Sequence, residues 1–220
     1  MKEIGLRICS SVVLASTAVI VTWFGSMPFY AFWVMTAGLV FLEWARISSY
    51  RPEWLIAGAA YAGAFLAAMI LLRDSPLGRE AILWIFALVW ATDSAAYFGG
   101  RLIGGPKLWP KVSPGKTWSG AIAGTVAGVA AGLVLLAVLS IPPHPMHAVL
   151  GLVIVIAAQL GDLLESGIKR RFHVKDTSNL IPGHGGVMDR CDSLAAAAVV
   201  ALVLGGIRFV HTPAQGLLAW

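Results

Sequence analysis

Seven long apolar runs constrain this chain more than any other feature. They cover Ile4–Phe24, Pro28–Glu43, Trp54–Leu72, Glu80–Phe98, Trp118–Ser140, His147–Leu164 and Ser193–Val210. A helix that crosses the hydrocarbon core of a bilayer needs about 20 predominantly apolar residues. The runs therefore predict an all-α, polytopic membrane helix bundle of about seven transmembrane helices, built as one integral-membrane domain over residues 1–220. The second run is short and begins at a Gly-Ser-Met-Pro turn, so it is expected to lie with little tilt or partly in the interface.

Composition agrees. Of 220 residues, 58% are hydrophobic and 12% charged, against about 25% charged in soluble domains. Cys9 and Cys191 are too few for a disulfide framework or a zinc site. The first run is long enough to span and has no small-residue cleavage pattern, so it reads as a retained helix.

Basic residues set the orientation. With seven spans, 13 of the 16 Lys and Arg fall on the side holding the N-terminus and the connections after spans two, four and six; Arg73, Arg79 and Arg208 fall on the other. Lys and Arg favour the cytoplasmic side, which places the N-terminus in the cytoplasm and the C-terminus outside.

Gly120, Gly124, Gly128 and Gly132 repeat every fourth residue along the fifth run. Such a stripe lets another helix approach closely where lipid offers no hydrophobic drive. Packing inside the bundle is the first reading, and a homodimer seam is the second. His144 and His147, in the proline-rich loop before the sixth run, are too few for a closed metal site and are expected to be solvated.

Acidic residues are costly in a bilayer and tend to mark function. Asp93 lies near the end of the fourth run, Asp162 and Glu165 near the end of the sixth, and Asp189 and Asp192 at the start of the seventh. The topology brings all three places to one face. Residues three and four apart are neighbours on a helix, so Gln159, Asp162, Glu165, Ser166 and Lys169 share a stripe. If the helix ends meet, their oxygens converge. Mg2+ takes one or two carboxylates plus substrate phosphates, and two such ions can clamp a phosphate displacement. Lys169, Arg170, Lys175 and Arg190 then suit phosphate, whereas Arg171 reads as a headgroup contact.

Two loops on this face matter. Pro182-Gly183-His184-Gly185-Gly186 has few side chains, so its backbone N–H groups can approach phosphate. In the loop from Gly99 to Thr117, Gly115-Lys116-Thr117 imitates the end of a P-loop, but Pro110 stands where the motif needs glycine and no strand precedes it. The P-loop is rejected; Ser113, Lys116 and Thr117 remain as phosphate contacts.

Taken together these residues resemble the phosphatidate cytidylyltransferase, or CDP-diacylglycerol synthase, family. The matching pattern is Ser166, Lys169-Arg170, Lys175-Asp176, His184-Gly185-Gly186 and Asp189-Arg190-Cys191-Asp192. Gly161-Asp162-Leu163-Leu164-Glu165 precedes it. Upstream stand Asp93, Ala96-Tyr97-Phe98-Gly99-Gly100-Arg101 and Ser113-Pro114-Gly115-Lys116-Thr117. The resemblance covers residues 90–210. Cys191 replaces the usual aliphatic residue, and Gly105, Gly115 and Ser119 replace residues that are often basic, Lys and Glu.

What the resemblance implies is transfer of the CMP moiety of CTP to phosphatidic acid, giving CDP-diacylglycerol and pyrophosphate, with Mg2+ as cofactor. Asp162, Asp189 and Asp192 would hold metal, with Glu165 and Asp93 in support. Asp162, Lys169, Arg170, Asp189 and Asp192 would form the catalytic set. Ser113, Lys116, Thr117, Ser166, Lys175, His184, Gly185, Gly186 and Arg190 would bind substrate. The expected partners are CTP, phosphatidic acid and membrane lipids, with no nucleic acid, in a bacterial inner membrane with the site facing the cytoplasm. The alternatives are a CTP-dependent enzyme with a polyprenol or ether-lipid acceptor, and an ion-coupled transporter. The transporter would call for a midplane site and internal repeats, and the sequence has neither.

Overall fold

A computed structural model of the chain describes residues 2–181 and 185–220, with side chains from Ser10 onward. Among the described residues the expected seven runs form seven long helices: α1 (Lys2–Phe24), α2 (Ser26–Ile47), α3 (Pro52–Asp74), α4 (Gly78–Leu102), α5 (Trp118–Val138), α6 (Pro145–Arg171) and α7 (Met188–Arg208). Between α4 and α5 lies a short hairpin of β1 (Lys107–Trp109) and β2 (Ser113–Thr117), and a final helix α8 (Pro213–Leu218) follows α7. Helices α2 to α7 are each long and apolar enough to cross a membrane, and Ser10–Phe24 of α1 forms a shorter apolar stretch. The chain is an integral-membrane helix bundle. Because each span satisfies its own backbone hydrogen bonds, this architecture can sit in hydrocarbon.

Helix α4 is the centre of the bundle. Trp84, Ile85, Leu88 and Val89 are buried there, and Trp33 of α2 packs against Phe65 of α3 and Phe86 of α4. The glycine stripe of α5 lies against α4. A Cβ at Gly128 would sit 2.1 Å from Thr92 Oγ1 and 2.8 Å from the Leu88 carbonyl oxygen. The stripe is therefore used inside the chain, and the face of α5 bearing Ile122, Val126, Val134 and Val138 is exposed. Helices α6 and α7 meet in the same way, since a Cβ at Gly161 would stand 2.5 Å from Ala196 Cβ. Small residues bring backbones together where dispersion must replace hydrophobic drive.

Three local expectations change. Helix α2 is not a short run ending at Glu43; it continues to Ile47, with Glu43 buried inside it. His147 is not solvated. It is 1% exposed, its Nδ1 accepts from the His144 N–H (2.9 Å), and its Nε2 meets the Leu218 carbonyl (3.2 Å), so it caps α6 and fastens α8. Finally, part of the Gly99–Thr117 loop is the antiparallel β1–β2 hairpin. It is held by Trp118 N–H to the Pro106 carbonyl at 3.1 Å and by Ser119 Oγ to the Gly104 carbonyl. Thr117 ends it and caps α5, its Oγ1 accepting from Gly120 N–H at 3.1 Å, the usual role of a threonine at a helix start.

Candidate active site

The hairpin, the C-terminal ends of α4 and α6 and the starts of α5 and α7 enclose a cavity of about 660 Å³. Asp93 lies nine residues before the end of α4, and Asp162 nine before the end of α6. At 1.5 Å per residue these carboxylates stand about 14 Å inside the helix ends. The cavity is polar in a bundle that is otherwise apolar.

Its floor is acidic. One carboxylate oxygen from each of Asp162, Glu165 and Asp192 lies within 4.8 Å of the other two. Helix spacing places Asp162 and Glu165 on one face of α6, and the close α6–α7 approach at Gly161 brings Asp192 to them. Glu165 and Asp192 are 2% and 8% exposed. Two like charges about 5 Å apart repel by about 3 kcal/mol at an effective dielectric of 20, so three need compensation. Lys116 Nζ is 2.6 Å from Asp162 Oδ2, and Lys169 Nζ is 2.8 Å from Glu165 Oε2. Among the described residues, Glu165 Oε1 is buried with no hydrogen-bond partner. A buried carboxylate with an unpartnered oxygen, grouped with two further carboxylates, suits a hard divalent cation, and the residues fit one. Asp93 stands beside this group, its Oδ1 accepting from Ser193 Oγ at 3.4 Å.

Asp189 is placed differently. Its Oδ1 accepts from Lys169 Nζ (2.7 Å), and its Oδ2 accepts from Thr177 N–H (2.9 Å), Thr177 Oγ1 (2.8 Å) and Gly186 N–H (2.8 Å). It lines the cavity while organising the connection between α6 and α7. The Gly186 N–H thus goes to a carboxylate. His184 lies outside the described residues.

The remaining expected residues divide into two groups. Lys116, Thr117, Lys169 and Arg190 line the cavity. Ser113, Ser166, Arg170, Lys175, Gly185 and Gly186 are not in its wall. Arg170 Nε reaches the Val112 carbonyl at 3.3 Å, tying α6 to the hairpin, and Ser166 Oγ lies 3.5 Å from Asp162 Oδ1. Lys175 is exposed.

Arg101, Lys107 and Glu43 are among the residues that the expected site set leaves out. Arg101 and Lys107 line the cavity, and among the described residues neither they nor Arg190 has an ion-pair partner. Glu43 of α2 is fully buried and accepts hydrogen bonds from Ser178 Oγ and the Val187 and Met188 N–H groups, and shares the Thr177 hydroxyl with Asp189. A lone carboxylate inside the apolar run Phe41-Leu42-Glu43-Trp44 was the available signal.

Comparison with known proteins decides the family. Residues 53–207 match the cytidylyltransferase family. The chain belongs to that family. Among its relatives, the phosphatidate cytidylyltransferase of Brucella suis biovar 1 is 37% identical over 256 aligned positions, covering 94% of this chain and 95% of the relative. The phosphatidate cytidylyltransferases of Rickettsia bellii and Rickettsia typhi are each 34% identical, covering 92% and 90% of this chain and 90% of each relative. The match to the cytidylyltransferase family thus begins well before residue 90, and α3 is part of it.

Proposed function

We propose that this chain is a phosphatidate cytidylyltransferase that joins CTP to phosphatidic acid and releases pyrophosphate. The observation that carries the reading is the buried Asp162–Glu165–Asp192 group at the floor of a cavity rimmed by cations, in a chain whose relatives bear that name over nearly their full length.

The chemistry fits those residues. A lipid phosphate oxygen forms a bond to the α-phosphorus of CTP, and the bond from that phosphorus to the bridging oxygen of the β-phosphate breaks, so that pyrophosphate leaves. A phosphate monoester is already anionic, so no strong base is required. Catalysis reduces to positioning and to neutralising charge. Lys107, Arg101 and Arg190, free of carboxylate partners among the described residues, are placed to receive phosphates; an Arg can do so bidentately. Lys116 and Lys169 bridge the rim and the acidic floor. Behind the wall, Arg170 ties α6 to the hairpin, Ser166 stands against Asp162, and the Gly186 N–H holds Asp189 in the α6–α7 connection.

Asp162, Glu165 and Asp192 would hold Mg2+, with Asp93 and Asp189 beside them. When bound, the ion supplies charge neutralisation and alignment of phosphate oxygens. The bias of basic residues toward this end of the bundle supports a cytoplasmic site, where CTP arrives from water and the lipid from the leaflet. The bacterial relatives support placement in an inner membrane.

The test is product identification. Purified protein with Mg2+, CTP and phosphatidic acid should form CDP-diacylglycerol and pyrophosphate in equal amounts. Reaction with polyprenyl phosphate and none with phosphatidic acid would overturn the lipid assignment.

A further inference from the structure

Glu43 lies outside residues 53–207, where the chain matches its family, and it does not line the cavity. Yet it is 0% exposed and both of its oxygens are engaged. Oε1 takes Ser178 Oγ (2.6 Å) and Val187 N–H (2.9 Å); Oε2 takes Met188 N–H (2.8 Å) and shares the one Thr177 hydroxyl proton (3.0 Å) with Asp189 Oδ2 (2.8 Å). A helix start leaves backbone N–H groups without partners and carries partial positive charge. Among the described residues, helix α7 has no side-chain cap of its own at Val187. Glu43, from a helix more than a hundred residues earlier, supplies that cap.

The contact continues to the site. Thr177 Oγ1 touches both Glu43 Oε2 and Asp189 Oδ2, Asp189 Oδ1 holds Lys169, and Lys169 holds Glu165. The backbone is shaped for it: a Cβ at Gly186 would lie 2.0 Å from Thr177 Oγ1 and 2.5 Å from Glu43 Oε2. The second glycine of the His-Gly-Gly sequence is therefore the opening through which Glu43 reaches the α7 start. Around Glu43, Val40, Trp44, Ile168 and Met188 form an apolar seal.

We infer that Glu43 is a positioning residue for the transfer reaction: it caps α7 from α2 and, through Thr177, fixes Asp189 and Lys169 relative to the acidic floor. The inference rests on the function proposed above. An outer contact of this kind orients the residues that hold ligand, and its loss typically reduces activity or metal affinity by about 10–100-fold.

The experiment compares Glu43→Gln, Thr177→Val and Phe29→Leu with the parent protein in detergent. Phe29→Leu is a packing control on the same helix: Phe29 is buried and stands about 21 Å along α2 from Glu43. Thermal unfolding, kcat and KM for CTP, and hydrogen exchange of peptides containing Thr177 and Val187 are read for each. Glu43→Gln and Thr177→Val should lose at least tenfold in kcat, with a smaller change in KM, and should exchange faster at Val187. Phe29→Leu should lose thermal stability but stay within about twofold of the parent kcat, as expected for a substitution away from the contact chain. If Glu43→Gln does not fold, Thr177→Val alone decides. Parent-like kcat in the folded variants, or an equal loss in Phe29→Leu, overturns the inference. A parent that makes no CDP-diacylglycerol overturns the functional reading instead; the exchange comparison then still decides whether Glu43 orders the connection, and unchanged exchange rejects it.

Discussion

Lys116 Nζ lies 2.6 Å from Asp162 Oδ2, joining the β2 strand of the hairpin to helix α6 at the floor of the cavity. Both side chains are partly exposed, at 27% and 33%, and an ion pair of that exposure contributes only about 0–1 kcal/mol to stability. Its value must lie elsewhere. Lys116→Ala should leave the unfolding temperature nearly unchanged and lower kcat/KM for CTP by at least tenfold, about 1.4 kcal/mol of transition-state binding. A parallel fall in both quantities would make the pair a structural strut.

Lys169 presents the opposite case. It is held between Glu165 and Asp189, both nearly buried. Removing one partner of a buried ion pair typically costs about 3–5 kcal/mol, because the charges left behind are uncompensated. Lys169→Met should therefore lower thermal stability by several degrees and abolish transfer. Thermal unfolding in detergent beside the activity assay checks this.

The α4–α5 seam makes a prediction independent of chemistry. Gly128→Ala forces a Cβ against Thr92 Oγ1 and the Leu88 carbonyl, and overpacking of this kind costs about 1–3 kcal/mol. Gly38→Ala, where nothing lies within 4 Å, should be neutral or slightly stabilising, since alanine favours helix by about 1 kcal/mol over glycine. Comparing the two unfolding temperatures tests the seam, and equal values would place the stripe on a free surface.

Divalent ions should be required. Chelation should stop the reaction and added Mg2+ restore it. Glu165→Gln, which weakens one oxygen donor and keeps the volume, should raise the half-saturating Mg2+ concentration at least tenfold, in line with the cost of disturbing a metal site. An unchanged Mg2+ dependence would remove Glu165 from the donor set.

Much of this was legible in the chain. Apolar length alone marks the spans, and the fourfold glycine spacing marks a close helix seam. The convergence of Asp93, Asp162, Glu165 and Asp192 follows once the topology brings those helix ends together. What was not legible depends on contacts distant in sequence. Glu43 looked like the end of a span because a carboxylate rarely continues one; only its contacts with Thr177, Ser178, Val187 and Met188 offset the cost of its burial. Asp189 and Gly186 look like ligand contacts in the motif, but each is already engaged by the α6–α7 connection. The hairpin was hidden because Ser113-Pro114-Gly115-Lys116-Thr117 has no alternation of apolar and polar residues. Tertiary bonds to Pro106 and Gly104 hold it in place of local propensity.

The most direct measurement is the turnover of Asp192→Asn at saturating CTP, phosphatidic acid and Mg2+. Asp192 is the carboxylate that α7 contributes to the buried group, and the substitution conserves its volume. The account predicts a folded protein whose CDP-diacylglycerol formation falls by at least a hundredfold, about 2.7 kcal/mol of transition-state stabilisation. A folded variant within twofold of the parent rate would contradict it.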